Sequence, residues 1–385
     1  MCTQLPDHRA AAAFIQGMRK AELHVHLEGT LEPELKLELA VRNGLDLPFS
    51  TVEELRAAYA FTDLTSFLAV YHEGIGVLLR EQDFYDLAMA YFRKARSQNV
   101  VYAEVFFDPQ AHTARGVPFA AVMDGLRRAQ ADARATLGLQ SQLVMCFLRD
   151  RPAEAAMDML ERSLAYRDAI VGVGLDSDER GNPPVKFKEV FERARGEGYR
   201  LTMHCDVDQH DSVAHIWQCL DEIGVDRIDH GLNILADAAL VAEVKRRGVG
   251  LTVCPISNRY LTGGSKARQL LDLLEAGVRA TVNSDDPAYF PGYLNENLMA
   301  VQGAAALTRD ELLQLSRNAF LVSWAAPADR ERYLEELEEY AAHGPGAAPV
   351  AAAEAAPSAA RRPHRLRALV QRRRTGTAGA AAGRR

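Results

Sequence analysis

The stretch AELHVHL, residues 21–27, is a short run of apolar and β-branched residues interrupted by polar side chains. A run of this length and composition is typical of a buried β-strand. Seven more segments of the same kind follow it: VVYAEVFF (100–107), QLVMCFL (142–148), AIVGVGL (169–175), RLTMHC (200–205), DRIDHG (226–231), VGLTVCPI (249–256) and ATVNS (280–284). The sequence therefore predicts eight strands.

Helical patterns lie between most of these segments, and strands that alternate with helices indicate a parallel sheet. Eight such units over about 330 residues fit a closed (β/α)8 barrel. Two Rossmann halves fit less well, because no G-x-G-x-x-G motif opens the first strand-to-helix turn. We therefore predict an α/β protein with a TIM-type (β/α)8 barrel.

The connection between the first two predicted strands, residues 31–99, is too long for one crossover helix. It contains the helical patterns TVEELRAAYAF and DLTSFLAVYHEGIGVLLR. We predict a helical insertion after the first strand, placed over the mouth of the barrel as a lid.

Composition points to a cytoplasmic protein. The chain has 385 residues, of which 48% are hydrophobic, enough for a large core. It contains no apolar run long enough to cross a membrane, and its N-terminus lacks the basic and apolar pattern of a signal peptide. The five cysteines include no C-x-x-C pair, so we interpret them as reduced thiols.

Charge divides the chain into two parts. Residues 361–385 contain nine arginines and no acid, whereas residues 1–360 carry 36 basic and 52 acidic side chains. The acidic body argues against specific or nonspecific nucleic-acid binding. We predict a barrel domain over residues 1–344 and an Ala/Pro/Arg-rich disordered tail over residues 345–385. An anion-binding role for this tail is the alternative to a solvated extension, which we favour.

Polar side chains end several of the predicted strands, which is where (β/α)8 barrels place their chemistry. His24 and His26 are two residues apart and face the same way, and His204, His230 and Asp285 end the fifth, sixth and eighth strands. Each alone has a simple structural explanation, such as a hydrogen-bonded histidine or a helix N-cap. Histidines and a carboxylate from strands one, five and eight together predict a zinc site with an open position for water.

The stretches KAELHVHLEGTLEPE, GLDS, RIDHG, TVCPISN and TVNSDDPAYF, spread over about residues 20–320, resemble the adenosine/adenine deaminase family of metal-dependent hydrolases. The resemblance implies one zinc ion per subunit, bound by His24, His26, His204 and Asp285. It implies that His230 orients and deprotonates the attacking water. It also implies that Asp286 binds purine N7 and that the backbone near Ser177 contacts purine N3.

The sequence departs from the family at one functional position. The family has His-Ala-Gly-Glu after the fifth strand, and that glutamate protonates the ring nitrogen beside the reacting carbon. Here the equivalent position is Val207, which has no proton to donate. Either Asp206 or Asp208 supplies the acid from a longer loop, or the protein is a catalytically weakened purine- or metal-binding barrel. We favour the first, because the other catalytic positions are filled.

Substrate preference depends on Glu28, in HLEGT. Relatives that act on the nucleoside usually carry an aspartate here, whereas glutamate resembles the form found in enzymes for the free base. We therefore expect a small-molecule purine, with adenine or an N6-substituted adenine preferred over adenosine. The expected reaction is hydrolytic removal of the C6 amino group as ammonia or an amine. The oligomeric state stays open.

Overall fold

The structure, a computed structural model, describes residue 5 and residues 7–205 and 210–344. It contains eight strands in one parallel sheet, in the order β1 to β8. Their bounds are β1 Lys20–His26, β2 Val100–Phe107, β3 Gln140–Leu148, β4 Ile170–Asp176, β5 Arg200–Cys205, β6 Arg227–His230, β7 Gly250–Val253 and β8 Arg279–Val282. The predicted (β/α)8 barrel is confirmed.

The first and eighth strands meet through a residue beyond the end of β8. Asp285 pairs in parallel with Val25. Its N–H donates to the carbonyl of His24 at 3.1 Å, and its carbonyl accepts from the N–H of His26 at 2.9 Å. These two hydrogen bonds bring the sheet round into a nearly closed barrel.

The described residues form sixteen α-helices. They are α1 His8–Gly17, α2 Pro33–Asn43, α3 Val52–Ala57, α4 Leu64–Gly74, α5 Glu81–Ser97, α6 Pro109–Thr113, α7 Phe119–Leu137, α8 Ala153–Ser163, α9 Lys188–Gly196, α10 Ser212–Gln218, α11 Ala238–Arg247, α12 Pro255–Thr262, α13 Ala267–Glu275, α14 Leu294–Ala305, α15 Arg309–Val322 and α16 Pro327–His343. Helices cover the outside of the sheet, so nearly all strand positions are buried, including polar residues such as Glu22, Glu104 and Arg227.

The predicted helical insertion is also confirmed. Helices α2 to α5 lie between β1 and β2. Helix α4 begins at a capping box, in which Asp63 accepts from the N–H of Ser66 and Ser66 Oγ accepts from the N–H of Asp63. Its side chains Leu64, Phe67, Leu68 and Tyr71 line the cavity at the carboxyl end of the barrel. The insertion therefore covers the barrel mouth.

No helix in the described ranges is both long and apolar enough to pass through a bilayer. The predicted tail, residues 345–385, lies outside the described residues. The domain boundary at residue 344 stays a prediction.

Candidate active site

Imidazole and carboxylate side chains from four strand ends meet at the carboxyl end of the barrel. His24 and His26 lie at the end of β1, His204 near the end of β5 and His230 at the end of β6. Asp285 follows β8, held by the bridge that closes the barrel. All five residues are buried, with exposed fractions of at most 9%. The structure therefore brings together five of the predicted site residues.

Three donor-atom distances among His24, His26, His204 and Asp285 are close to those around a tetrahedral metal ion. Metal–ligand bonds of 2.0–2.1 Å place neighbouring donor atoms roughly 3.3 Å apart. His26 Nε2 lies 3.1 Å from His204 Nε2, and Asp285 Oδ1 lies 3.2 Å from His24 Nε2 and 3.6 Å from His26 Nε2. His24 Nε2 is buried and has no hydrogen-bond partner within the described residues. The donor set therefore fits a divalent cation that accepts nitrogen and oxygen ligands.

His230 lies beside this set. Its Nε2 is 3.8 Å from Asp285 Oδ2, and donor atoms of His24, His204, His230 and Asp285 all lie within 4.8 Å of one another. Its Nδ1 lies 3.3 Å from the side-chain amide of Asn258. The amide atom nearer to His230 is Asn258 Nδ2, which donates to Nδ1; a flipped amide would present Oδ1, accept a hydrogen bond from Nδ1 and leave Nε2 free to act as a base. The role of His230 as base rather than ligand stays a prediction.

Burial and charge favour the metal-binding protonation states of His26, His204 and Asp285, whereas the pKa of His24 is raised because the Asp285 and Asp229 carboxylates outweigh its burial. Burial lowers the pKa of His26 to about 4. Burial, with the neighbouring histidines, also holds the pKa of His204 well below its usual value. Burial alone would raise the pKa of Asp285, but the nearby histidines outweigh it and hold that pKa well below its usual range. Neutral imidazoles and an ionised carboxylate are the forms that coordinate a cation.

Three predicted site residues have left-handed backbone conformations. Ser177, His230 and Asp285 have φ values of 74°, 61° and 66°. Such angles are uncommon for residues other than glycine and cost of order 1 kcal/mol or more each. They follow or end strands β4, β6 and β8, where the chain turns sharply and aims a side chain across the barrel mouth. Strained backbone at these positions is typical of a functional site.

A cavity beside the histidines is the space for a ligand. Its polar walls come mainly from strand ends, and its apolar walls come mainly from α4, α12 and the segment after β8: His26, Leu64, Phe67, Leu68, Tyr71, His72, Asp108, Leu148, Asp176, Ser177, Glu179, His204, His230, Ser257, Leu261, Asp285, Asp286 and Phe290. Asp108, Asp176 and Asp286 each have a buried carboxylate oxygen without a hydrogen-bond partner in the described ranges. Burial raises the pKa of Asp176 to about 7. This acidic wall suits a ligand with several N–H donors.

Asp286 packs against a glycine that leaves room for it. A Cβ added to Gly29 would lie 2.0 Å from Asp286 Oδ1 and 2.7 Å from its Cβ and Cγ. The glycine of HLEGT is therefore required by the close approach of the Asp286 side chain. Burial and the adjacent Asp285 carboxylate raise the pKa of Asp286 well above its usual value. Asp286 lines the cavity, as its predicted role in substrate binding requires.

Glu28 is held by the protein rather than aimed into the cavity. Its Oε1 accepts from His112 Nε2 at 2.8 Å and from the N–H of Asp108 at 3.1 Å. Because Arg115 Nη2 donates to His112 Nδ1 at 2.8 Å, the proton of a neutral His112 lies on Nε2 and points at Glu28. Glu28 is 1% exposed. It supports the wall that carries Asp108, and its predicted contact with substrate stays untested.

The remaining predicted residues divide into two groups. Ser177 lines the cavity at its left-handed turn. Asp206 and Asp208, the predicted replacements for the family acid, lie outside the described residues, as does Val207. Their roles therefore stay predictions.

The sequence interpretation missed several side chains in the cavity. Asp108 directly follows β2 and Asp176 ends β4, so the same strand-end argument that selected the histidines applies to both. His72, on α4, also lines the cavity. Phe67 and Tyr71 come from α4, and no sequence pattern showed which face of this helix meets the barrel mouth.

A (β/α)8 barrel with buried histidines and an aspartate at its strand ends defines the class of metal-dependent amidohydrolases. Comparisons with known proteins identify the family within this class. Residues 19–340 match the family model described as adenosine deaminase. The chain belongs to the adenosine deaminase family.

Three relatives illustrate the similarity. An adenine deaminase of Caulobacter vibrioides is 47% identical over 335 residues, which cover 86% of this chain and 97% of that protein. The crystal structure of an adenine deaminase from Arthrobacter aurescens has a TM-score of 0.82 at 40% identity, covering 84% of this chain and 99% of that one. A zinc-bound amidohydrolase from Burkholderia ambifaria has a TM-score of 0.76 at 25% identity, covering 86% and 93%.

Proposed function

We propose that this protein hydrolyses the C6 amino group of a purine, with adenine or an N6-substituted adenine preferred over adenosine. The observation that carries the proposal is the cluster of His24, His26, His204 and Asp285 at the end of a buried cavity with an acidic wall. The names of similar proteins support the same chemistry. In this reaction the water oxygen adds to C6 and a proton goes to ring nitrogen N1. The C6–N6 bond then breaks, the second water proton leaves with the amine, and C6 becomes a carbonyl carbon.

The metal in this proposal is zinc, one ion per subunit, held by His24, His26, His204 and Asp285. When bound, zinc lowers the pKa of water to about 7 and supplies a hydroxide nucleophile at neutral pH. The nitrogen-rich donor set and the zinc-bound relative support zinc over a harder cation.

His230 acts on the attacking water, whereas Asp286 and the backbone at Ser177 contact the purine. His230 accepts a proton from the attacking water when Asn258 presents its amide oxygen to Nδ1. Asp286 binds the purine at N7, and burial favours its protonated form, which can donate to a ring nitrogen. The left-handed turn at Ser177 presents backbone to the opposite edge of the base, at N3.

The leaving amine and the ring nitrogen must gain protons. Asp206 or Asp208 is our proposed donor, because Val207 occupies the position of the family glutamate. Glu179 also lines the cavity, 3.8 Å from Arg149 Nη1 and 3.7 Å from His215 Nδ1. Glu179 is a candidate donor within the described part of the chain. The activities of its variant and of the Asp206 and Asp208 variants are therefore compared.

A free base fits the described cavity better than a nucleoside does. Glu28, at the position that resembles the ribose-binding aspartate, is engaged by His112 and by the backbone of Asp108. The unpartnered oxygens of Asp108 and Asp176 can accept from N–H donors, and a free base carries a ring N–H that a nucleoside lacks. Apolar side chains such as Phe67 supply surface for the purine ring or an N6 substituent.

We also propose a cytoplasmic location, a small-molecule purine as the ligand, and no specific binding of nucleic acid. The acidic charge of residues 1–360 supports the last point.

A substrate panel tests the proposal. Purified, zinc-loaded protein is incubated with adenine, adenosine and N6-alkyl adenines, and the ultraviolet change and amine release are followed. We expect turnover of at least one free base with a kcat/KM higher than that for adenosine. Asp206→Asn, Asp208→Asn and Glu179→Gln then identify the proton donor by the largest fall in kcat. No turnover of any purine by protein with zinc confirmed would favour the weakened binding barrel that Val207 suggests.

A further inference from the structure

Asp229, on β6, is fully buried and lies on the Nδ1 side of two proposed metal ligands, His24 and His204. Its Oδ2 is 3.5 Å from His204 Nδ1, and its Oδ1 is 3.9 Å from His24 Nδ1. Two threonine hydroxyls also donate to this carboxylate, Thr252 Oγ1 to Oδ1 at 2.8 Å and Thr202 Oγ1 to Oδ2 at 2.7 Å. The Asp229 carboxylate therefore lies close to proposed metal ligands from two different strands, His24 of β1 and His204 of β5.

The hydrogen bonds fix the proton on His24. An ionised carboxylate only accepts, so the hydroxyl proton of Thr252 points at Asp229. Thr252 Oγ1 must then accept from His24 Nδ1, which lies 2.9 Å away. His24 consequently carries its proton on Nδ1 and presents a bare Nε2. That Nε2 is the atom without a hydrogen-bond partner, 3.2 Å from Asp285 Oδ1.

The same carboxylate faces His204 across a 3.5 Å contact between Oδ2 and Nδ1, and Nδ1 makes no hydrogen bond within the described residues. Thr202 donates to Asp229 Oδ2 at 2.7 Å and lies 3.3 Å from the carbonyl of Arg227, so the carboxylate is its shorter contact. With its proton on Nδ1, the His204 ring faces the negative Oδ2 and turns Nε2 towards His26 Nε2 at 3.1 Å. The opposite tautomer would place two lone pairs against each other at Asp229.

We propose that Asp229 is a positioning residue for the metal centre, fixing the tautomer of His24 through Thr252 and that of His204 directly. The proposal rests on the metal site of the proposed function. The basic side chains close to Asp229 in the described ranges are these two imidazoles, both neutral in this arrangement. A buried carboxylate without a cationic partner is costly to maintain, and a divalent cation beyond the histidines offsets that cost. Carboxylates that orient metal-binding histidines raise the affinity for the metal.

The test measures metal affinity on the full-length protein. Asp229→Asn keeps the shape of the side chain but replaces one acceptor by a donor. Thr252→Val removes the hydroxyl that relays to His24, whereas Thr252→Ser retains it. The matched control is Thr281→Val, another buried strand threonine, whose hydroxyl donates to the carbonyl of Leu251. Zn2+ competition with a chromophoric chelator gives the affinity, and the visible absorption of Co2+-loaded protein reports ligand geometry.

We expect Zn2+ affinity to fall 10- to 100-fold in Asp229→Asn and in Thr252→Val. Thr252→Ser and Thr281→Val should bind within threefold of the wild type. If Asp229→Asn does not fold, the contrast between valine and serine at residue 252 still decides the question. Unchanged affinity and an unchanged Co2+ spectrum in Thr252→Val and in any folded Asp229→Asn overturn the inference. A wild-type protein that binds no stoichiometric zinc instead overturns the proposed metal site.

Discussion

Replacing Gly29 by alanine tests whether the position of Asp286 matters for activity. Gly29 lies in the short helical turn Glu28–Thr30 that follows β1, and its carbonyl accepts from the N–H of Ala288 at 3.0 Å. The turn is therefore fastened to the segment that carries Asp286. A new methyl group at residue 29 points directly into that carboxylate side chain.

The size of the effect follows from the distances. The added Cβ would lie 2.0 Å from Asp286 Oδ1, whereas ordinary contact begins at 3.4 Å, so the shortfall is 1.4 Å. Rotating the carboxylate is not enough, because Asp286 Cβ would also lie too close, at 2.7 Å. A displacement of about 1 Å in a binding group costs about 100-fold in rate. Overpacking a buried site costs about 1–3 kcal/mol of unfolding free energy.

The assay compares Gly29→Ala with Gly303→Ala. Gly303 is exposed in α14, and a Cβ there meets no atom within 4 Å. We expect kcat/KM for the best free base to fall about 100-fold in Gly29→Ala. Gly303→Ala should keep its activity and gain about 0.5–1 kcal/mol of stability, because alanine is the better helix former. Asp286→Ala sets the largest loss attributable to this side chain.

Activity of Gly29→Ala within threefold of the wild type would refute the reasoning, since Asp286 could then move without consequence. A loss much greater than that of Asp286→Ala would show that the methyl group disturbs something else, such as the adjacent proposed metal ligand Asp285. The Zn2+ competition assay separates these cases, because displacement of Asp286 alone leaves metal affinity within about tenfold of the wild type.

Three further predictions concern the same site. Removing the metal with a strong chelator should abolish turnover and lower the melting temperature, because a ligand of the folded state stabilises it. Added Zn2+ should restore both. Activity that survives complete removal of the metal would contradict the proposed site. Asn258→Leu should lower kcat at least 10-fold with little change in KM, because His230 loses the group that orients it; steady-state kinetics would show an unchanged kcat if the contact is incidental. Glu28→Ala should lower the unfolding free energy by about 2 kcal/mol or more, because it leaves the N–H groups of His112 and Asp108 unpaired. Glu28→Gln keeps an acceptor and should cost less. Equal losses of the two variants in urea titrations would argue against this support role.

Much of the fold was predictable because alternating strands and helices leave a regular trace in the sequence. Each of the eight predicted segments overlaps a strand of the barrel. The largest difference is in VGLTVCPI, where β7 ends at Val253 and α12 begins at Pro255. Proline has no N–H for a strand ladder but fits the first turn of a helix, so apolar composition alone overextended the strand.

The cluster of proposed metal ligands was predictable for a related reason. In a parallel barrel all carboxyl strand ends meet, so residues far apart in sequence, such as His24 and Asp285, become neighbours. The lid was not predictable in detail, because the face of α4 that meets the cavity depends on tertiary packing. Glu28 shows a second limit. The family resemblance indicated a role in substrate preference, but the hydrogen bonds of Glu28 to His112 and Asp108 depend on how β2 and α6 are placed beside it.

Closure of the barrel and assembly of the site depend on the same residues. The backbone of Asp285 makes both hydrogen bonds that join the end of β1 to the end of β8, and its side chain lies among the proposed metal ligands. Glu22 of β1 adds a second tie, because its Oε1 accepts from the N–H and hydroxyl of Ser284 at 3.1 and 2.5 Å. The left-handed conformation of Asp285 is costly on its own, and these contacts offset the cost. The carboxylate therefore reaches its position only when the barrel has closed, so that metal binding and closure stabilise each other.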